Sequence, residues 1–203
     1  VRLAVRREKG MDFIMKEIYK IIYELAKPFL NTRKNDIHIE ISVSYAYKLL
    51  EKEAGDSDVV IPAVLLHDLG WWQLSEELQR RAFGPQFDKE LSRVHEVEGV
   101  RMAKEILEKV NYEINRMEEI LLIIDGHDSR LEAISQNDRI VKDADKLFRF
   151  SPRGFEIDSE RFGIEPNKYR KWLSDSVEEW FFTPTAKLFA REALQFLEVT
   201  EAR

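Results

Sequence analysis

The residues of this chain most able to do chemistry are its four histidines, His38, His67, His95 and His127, and the aspartates that accompany them. Each histidine falls in a different helical pattern, on that pattern's apolar stripe, read at spacings of three, four and seven residues. His38 shares a face with Ile41, Tyr45 and Leu49, and His67 follows Val60, Ala63 and Val64. His95 lies with Leu91, Gly99, Met102 and Ile106, while His127 follows Ile120, Ile123 and Ile124. Asp145, in "VKDADKLFRF", stands between Val141 and Phe148 in the same way. One such histidine reads as a core residue bonded to a backbone carbonyl. Several read differently, because each imidazole or carboxylate buried without a partner costs on the order of several kcal/mol. Helices also leave few free backbone groups to satisfy them. A shared cation, gripped by side chains projecting inward from facing helices, satisfies all of them together.

The donor types restrict the ion. Imidazole nitrogen and carboxylate oxygen without sulfur suit Fe, Mn, Co, Ni, Zn or Mg. Four histidines with Asp68 and Asp145 exceed what one tetrahedral structural zinc requires. They suit one octahedral divalent ion with open positions, or two ions bridged by a carboxylate.

The elements that must position these groups are helical almost throughout. The chain has 203 residues, 44% apolar and 34% charged, with 8 Gly and 6 Pro. That composition describes a helix-rich globule with enough chain for one core, here residues 1–203 as a single all-α domain. "MDFIMKEIYKIIYELAKPFL" aligns Ile14, Ile18, Ile21, Ile22 and Leu25, and the residue before Pro28 should end that helix. The next runs from Asp36, as N-cap, to Glu53. Pro62 suits the first turn of a third helix, which stops near Gly70. Residues 71–88 show no clear period. Helices are expected at 89–110, 114–128, 134–150, 167–181 and 184–198, with a Pro/Gly-rich loop from "SPRGF" to "GIEP". Strand-like alternation is essentially missing.

Charge and cysteine content exclude several classes. A net charge of −6 provides no domain-wide basic field, so neither nucleic acid nor an anionic membrane is an expected partner. A small anion could still meet a local positive site. Without cysteine there is no disulfide framework, thiolate metal site or Cys nucleophile, which fits a cytoplasmic protein. No apolar run approaches the roughly 18 residues that span a bilayer. The opening "VRLAVRREKG" reads as a frayed extension, with Met11 as a candidate start.

The order His38, then His67-Asp68, then Asp145 resembles the H…HD…D signature of the HD-domain superfamily of metal-dependent phosphohydrolases. The adjacent pair alone is weak, since "GHDSR" holds another at His127-Asp128. The context is stronger: "LLHDLG" closes an apolar helix and "DADKL" opens the last ligand segment. The resemblance covers about residues 36–150, with the C-terminal helices of 151–203 packing on that region. It implies a helical bundle in which His38, His67, Asp68 and Asp145 hold one divalent metal, with Asp145 chosen over Asp143 because the ligand precedes the basic residue. In two-metal members two further histidines join, and His95 and His127 occupy those places, with Asp68 as the bridge.

The implied activity is hydrolysis of a phosphate ester of a small anionic substrate, a nucleotide being the expected form. Asp68, Lys146 and Arg149 are the candidate catalytic groups, the last two through contact with substrate phosphate. Arg149, like Arg153, reads equally as a structural ion-pair partner, and Lys146 as a solvated lysine. Trp71 stands where nucleotide monophosphatases and alarmone hydrolases of this superfamily carry an acid, with Glu76 and Glu77 further on. The doubled histidine of cyclic-dinucleotide phosphodiesterases is missing at His127. "QLSEELQRRAFGPQFDKE" is the expected lid, where Arg80 and Arg81 could meet an anion. Trp172, Trp180, Phe181 and Phe182 should pack the last helices on the bundle or on a twin subunit, as a homodimer. Two rival readings use the same ligands: a di-iron oxygenase and a regulatory module that binds metal or ligand without turnover.

Overall fold

The computed structural model describes residues 15–81 and 88–201. Among them it contains ten α-helices and no strand, as the helical spacing led us to expect. These are α1 (Glu17–Ala26), α2 (Asn35–Leu50), α3 (Ser57–Leu66), α4 (Glu76–Arg81), α5 (Lys89–Lys109), α6 (Ile114–Ile124), α7 (Gln136–Leu147), α8 (Pro152–Phe162), α9 (Pro166–Trp180) and α10 (Pro184–Glu201). Short 3₁₀ turns follow α1, α3 and α7, at Lys27–Phe29, Leu69–Gln73 and Phe148–Phe150. Ile14, Met11 and the opening stretch lie outside the described residues, as do 82–87 of the expected lid and the side chains of Arg80 and Arg81.

Helix α3 is the axis of the molecule. All eight residues from Val59 to Leu66 are buried, so the helix is apolar on every side and must be surrounded. It packs against α1, α2, α6 and α7. Its N-terminus is fixed by Asp56, whose carboxylate accepts from the amide of Asp58 at 2.8 Å.

Pro62 sits in the middle of this helix rather than in its first turn. A proline there cannot donate to the carbonyl of Asp58 four residues back. The Tyr112 hydroxyl donates to that carbonyl instead, at 2.6 Å, so a long-range bond replaces the missing helical one.

Other boundaries shift for local reasons. Helix α2 starts at Asn35 with Lys34 in the left-handed region as its cap, so Asp36 lies in the first turn. In α1 the buried stripe is Tyr19, Ile22 and Ala26, whereas Ile21 is 45% exposed. Tyr19 displaces it because its hydroxyl has a partner in the core wall, the Asp58 carboxylate, to which it donates. The largest difference is α8, a full helix where a loop was expected. Ser151 caps it by accepting from the Gly154 amide at 3.0 Å, Pro152 opens it, and Gly163 ends it at φ +60°. Proline and glycine here mark the helix ends and not a loop.

The C-terminal helices join the bundle through α7. Asp143 is fully buried and accepts from the amides of Phe182 and Thr183 at 2.8 and 2.9 Å and from the Thr183 hydroxyl at 2.7 Å. It thereby ties the start of α10 to α7. Phe181 is buried against Phe150, but Trp172 is 45% exposed and packs edge-on to Trp180. No helix among the described residues is long and apolar enough to cross a membrane. Replacing Asp143 with Ala strands two buried donors and one half-buried donor, and we expect a loss of about 2–4 kcal/mol in denaturant unfolding. Metal stoichiometry should stay unchanged, since the tie lies away from the histidines.

Candidate metal centre

His67 and His127 are built by the same local device. Each lies just past a helix end, after Leu66 of α3 and after Ile124 of α6, where the last carbonyls lack helical donors. Sequence spacing had placed both inside their helices. His67 Nδ1 donates to the Val64 carbonyl at 2.9 Å, and His127 Nδ1 to the Ile124 carbonyl at 2.9 Å. A carbonyl can only accept, so Nδ1 carries a proton and Nε2 of each ring points into the row, free to bind an ion or a second proton.

Helices α2, α5 and α7 complete the row. His38 Nε2 lies 3.2 Å from His67 Nε2, and His95 Nε2 lies 3.2 Å from His127 Nε2. Asp145 Oδ1 stands 3.1 Å from His38 Nε2 and 3.6 Å from His67 Nε2. Asp68 occupies the middle, its carboxylate 3.6 Å from the Nε2 atoms of His38, His67 and His127 alike. Asp128 closes the far end, 3.4 Å from His95. Three overlapping groups could each hold an ion: His38, His67 and Asp145; His67, Asp68 and His127; His95, His127 and Asp128. The six ligands singled out in the sequence thus share one row, and Asp128 extends it. Its signal was the second HD pair, which read as chance recurrence.

The donor set fits a cation. Imidazole nitrogens and carboxylates facing one another at such spacing need positive charge between them, from protons or from a bound ion. Burial alone would raise the carboxyls of Asp68 and Asp145, but the surrounding imidazoles, His67 foremost for Asp68 and His38 for Asp145, hold both well below the usual range. Burial opposes charge on His127 as well, yet Asp128 and Asp68 raise it to about 10. His95 is driven the other way, to about 4, by burial and by neighbouring His127. Its Nδ1 has no hydrogen-bond partner among the described residues, and the ring is held by stacking: Trp71 lies parallel at 3.8 Å between centroids.

Several residues position the ligands. Trp71 Nε1 donates to Asp68 Oδ1 at 2.9 Å, orienting the central carboxylate. Gly70 lets the turn after Asp68 press on α5: a Cβ there would fall 1.8 Å from the His95 carbonyl oxygen. Buried Glu96 accepts from the amides of Asp128 and Ser129 at 3.0 and 2.8 Å. Lys142 Nζ donates to the carbonyls of Gly126, His127 and Arg130, at 2.7, 2.7 and 2.9 Å. Together they clamp the turn carrying His127-Asp128 from both sides.

A cleft meets the row. His38, Asp68, Asp128 and Asp145 line it, with Asn35, Trp71 and Phe148, and with Arg33, Arg149, Arg161 and Asp158. Arg149 therefore faces the site, paired with buried Asp158 at 3.6 Å. Lys146 does not line the cleft; its Nζ donates to the Trp180 carbonyl at 3.3 Å and lies over the Phe182 ring. Neighbouring residues on a helix point about 100° apart, so Asp145 facing the row turns Lys146 aside. Arg153 pairs with Glu156 on the surface, and Glu76 and Glu77 lie exposed in α4.

A helical bundle whose His and Asp side chains converge in this way is a metal-binding domain by construction. The family model described as the HD domain matches residues 35–149, more than half of the chain, and the chain belongs to that family. The HD domain marks a superfamily of metal-dependent phosphohydrolases. No curated protein and no solved structure matches the chain.

Because His127 holds a proton at neutral pH before any metal arrives, a binding ion must displace it. Affinity for Mn²⁺ should therefore rise with pH between 6 and 8, by up to about tenfold per unit for each proton released. Calorimetry in buffers of different ionisation enthalpy counts those protons, and a pH-independent affinity would contradict this electrostatic picture.

Proposed function

We propose that this protein is a metal-dependent phosphohydrolase acting on a small phosphorylated molecule, a nucleotide being the foremost candidate. The observation that carries the reading is the central position of Asp68, equidistant from three imidazoles belonging to both halves of the ligand row. A carboxylate so placed suits the bridge between two ions. His38, His67 and Asp145 would hold one, and His95, His127 and Asp128 the other. Divalent ions bound there supply Lewis-acid charge to a phosphoryl oxygen and bring the ionisation of water near neutral pH.

The chain's own groups do the rest. Arg149, kept charged by Asp145 and Asp158 although burial opposes it, lines the cleft and is suited to neutralise non-bridging phosphate oxygens. Trp71 fixes the Asp68 carboxylate and, with Phe148, gives the cleft an aromatic lining. Lys146 is not assigned a contact with substrate.

The test is a hydrolysis screen over nucleotides and sugar phosphates with Mn, Fe, Co, Ni, Zn and Mg in turn, while dissolved oxygen is followed. Phosphate release without oxygen consumption is expected, and Asp68→Ala should lower kcat/KM by about a thousandfold or more. Stoichiometric metal with no ester cleaved would reject the reading, and substrate-linked oxygen uptake would point to di-iron oxygenase chemistry on the same ligands.

A further inference from the structure

The imidazoles of the ligand row are not all aimed by the same means. Each terminal group contains one ring fixed through Nδ1, His67 by the Val64 carbonyl and His127 by the Ile124 carbonyl. His95 has no such anchor. It is fully buried, and its Nδ1 has no hydrogen-bond partner among the described residues. A metal-binding imidazole ordinarily has its other nitrogen held by a carboxylate, a carbonyl or water, which sets the direction of the ring. Another contact must aim His95.

Trp71 is placed to do so. Its indole lies parallel to the His95 ring, at 13° and 3.8 Å between centroids, while His127 meets that ring edge-on at 5.0 Å. A flat face at contact distance blocks rotation of the imidazole, because any turn drives a ring edge into the indole. Trp71 is itself held: it is buried, and its carbonyl accepts from the Gln79 side chain at 2.9 Å. The Arg33 guanidinium lies 4.2 Å from its ring centre. The turn that carries Trp71 is pressed onto α5, the helix of His95, through the close approach of Gly70 to the His95 carbonyl. The stack thus joins two elements already in contact.

The same indole also touches the centre of the row, where Nε1 donates to Asp68 Oδ1 at 2.9 Å. One side chain therefore has two separable roles, a face that aims His95 and an N–H that aims Asp68. The opposite terminal group has supports of its own. Val64 holds His67, and Phe148 meets the His38 ring edge-on at 4.6 Å.

We infer that Trp71 is a positioning residue for the ion at His95, His127 and Asp128, its ring face replacing the hydrogen bond that His95 lacks. The inference rests on the two-ion arrangement of the hydrolase reading and adds how the second ion is retained. Loss of the flat face should empty that position and leave the ion at His38, His67 and Asp145 in place.

The test titrates the full chain with Mn²⁺, followed by calorimetry and electron paramagnetic resonance. Ions bridged by a carboxylate couple magnetically, whereas a lone ion gives the spectrum of isolated Mn²⁺. Wild type should bind two ions with the coupled spectrum. Trp71→Leu and Trp71→Met, which lack a flat face, should weaken the second ion by about 10–100-fold and show the isolated spectrum. The first ion, which feels only the lost bond to Asp68, should weaken less, and its retention reports an intact bundle. Trp71→Phe keeps a flat face without the N–H, so it should retain the second ion and the coupling. Equal weakening of both ions in the leucine and methionine variants would overturn the inference. So would an unchanged second ion in those variants, or a phenylalanine variant as impaired as they are. A wild type that holds a single ion would also end it. The ester screen decides the hydrolase reading separately from all of these outcomes.

Discussion

Four imidazoles and three carboxylates compressed into one row inside an apolar bundle are the constraint on which the rest of this structure depends. Without a cation, the row is a costly assembly of buried polar atoms, with ring nitrogens facing at 3.2 Å and a proton forced onto His127. The surrounding architecture serves to keep those atoms together despite that cost. Helix α3 is apolar on every face so that it can be surrounded, and it ends where His67 and Asp68 emerge at the centre. Glu96 and Lys142 are themselves buried charges, and both are used to hold the His127-Asp128 turn. A fold that needed only stability would have filled these positions with hydrocarbon.

The two HD pairs show how one local solution serves twice. In each, a helix stops, a carbonyl three residues back captures Nδ1 of a histidine, and the next residue is an aspartate aimed back at the row. The supports differ. Asp68 is oriented by Trp71, while the turn of Asp128 is pinned through its backbone by Glu96. That asymmetry leaves Asp68 buried at the centre and Asp128 more exposed at one end, consistent with a bridge and a terminal ligand.

Much of this was legible in the sequence. A histidine on an apolar stripe is conspicuous because period and polarity disagree there, and that disagreement located His38, His67, His95 and His127. The HD-domain resemblance rested on the same residues. What escaped depended on contacts that no periodicity encodes. Pro62 looked like a helix start because its compensating donor, Tyr112, lies fifty residues away. Helix α8 looked like a loop because Pro152 and Gly163 are read as breakers until their places at its two ends are known. Ile21 and Tyr19 lie on opposite sides of α1, and the hydroxyl's distant partner decides which side turns inward. Lys146 was judged by adjacency to Asp145, although adjacency on a helix means a different direction.

The lining of the cleft is divided between the family-matched span and its flanks. The ligand row comes from α2, α5, α7 and the turns after α3 and α6, all within the matched span. The rest of the lining draws Arg33 from the turn before α2 and Asp158 and Arg161 from α8, on either side of that span. Arg149, the last matched residue, stands at the junction, pairing with Asp158 outward while facing Asp145 inward. Helix α8 carries Asp158 and Arg161 to the lining of the cleft from outside the matched span. Its capped ends and its bond to the Arg33 carbonyl make it a rigid support for two charges rather than a flexible connector, which is why it could not have remained a loop.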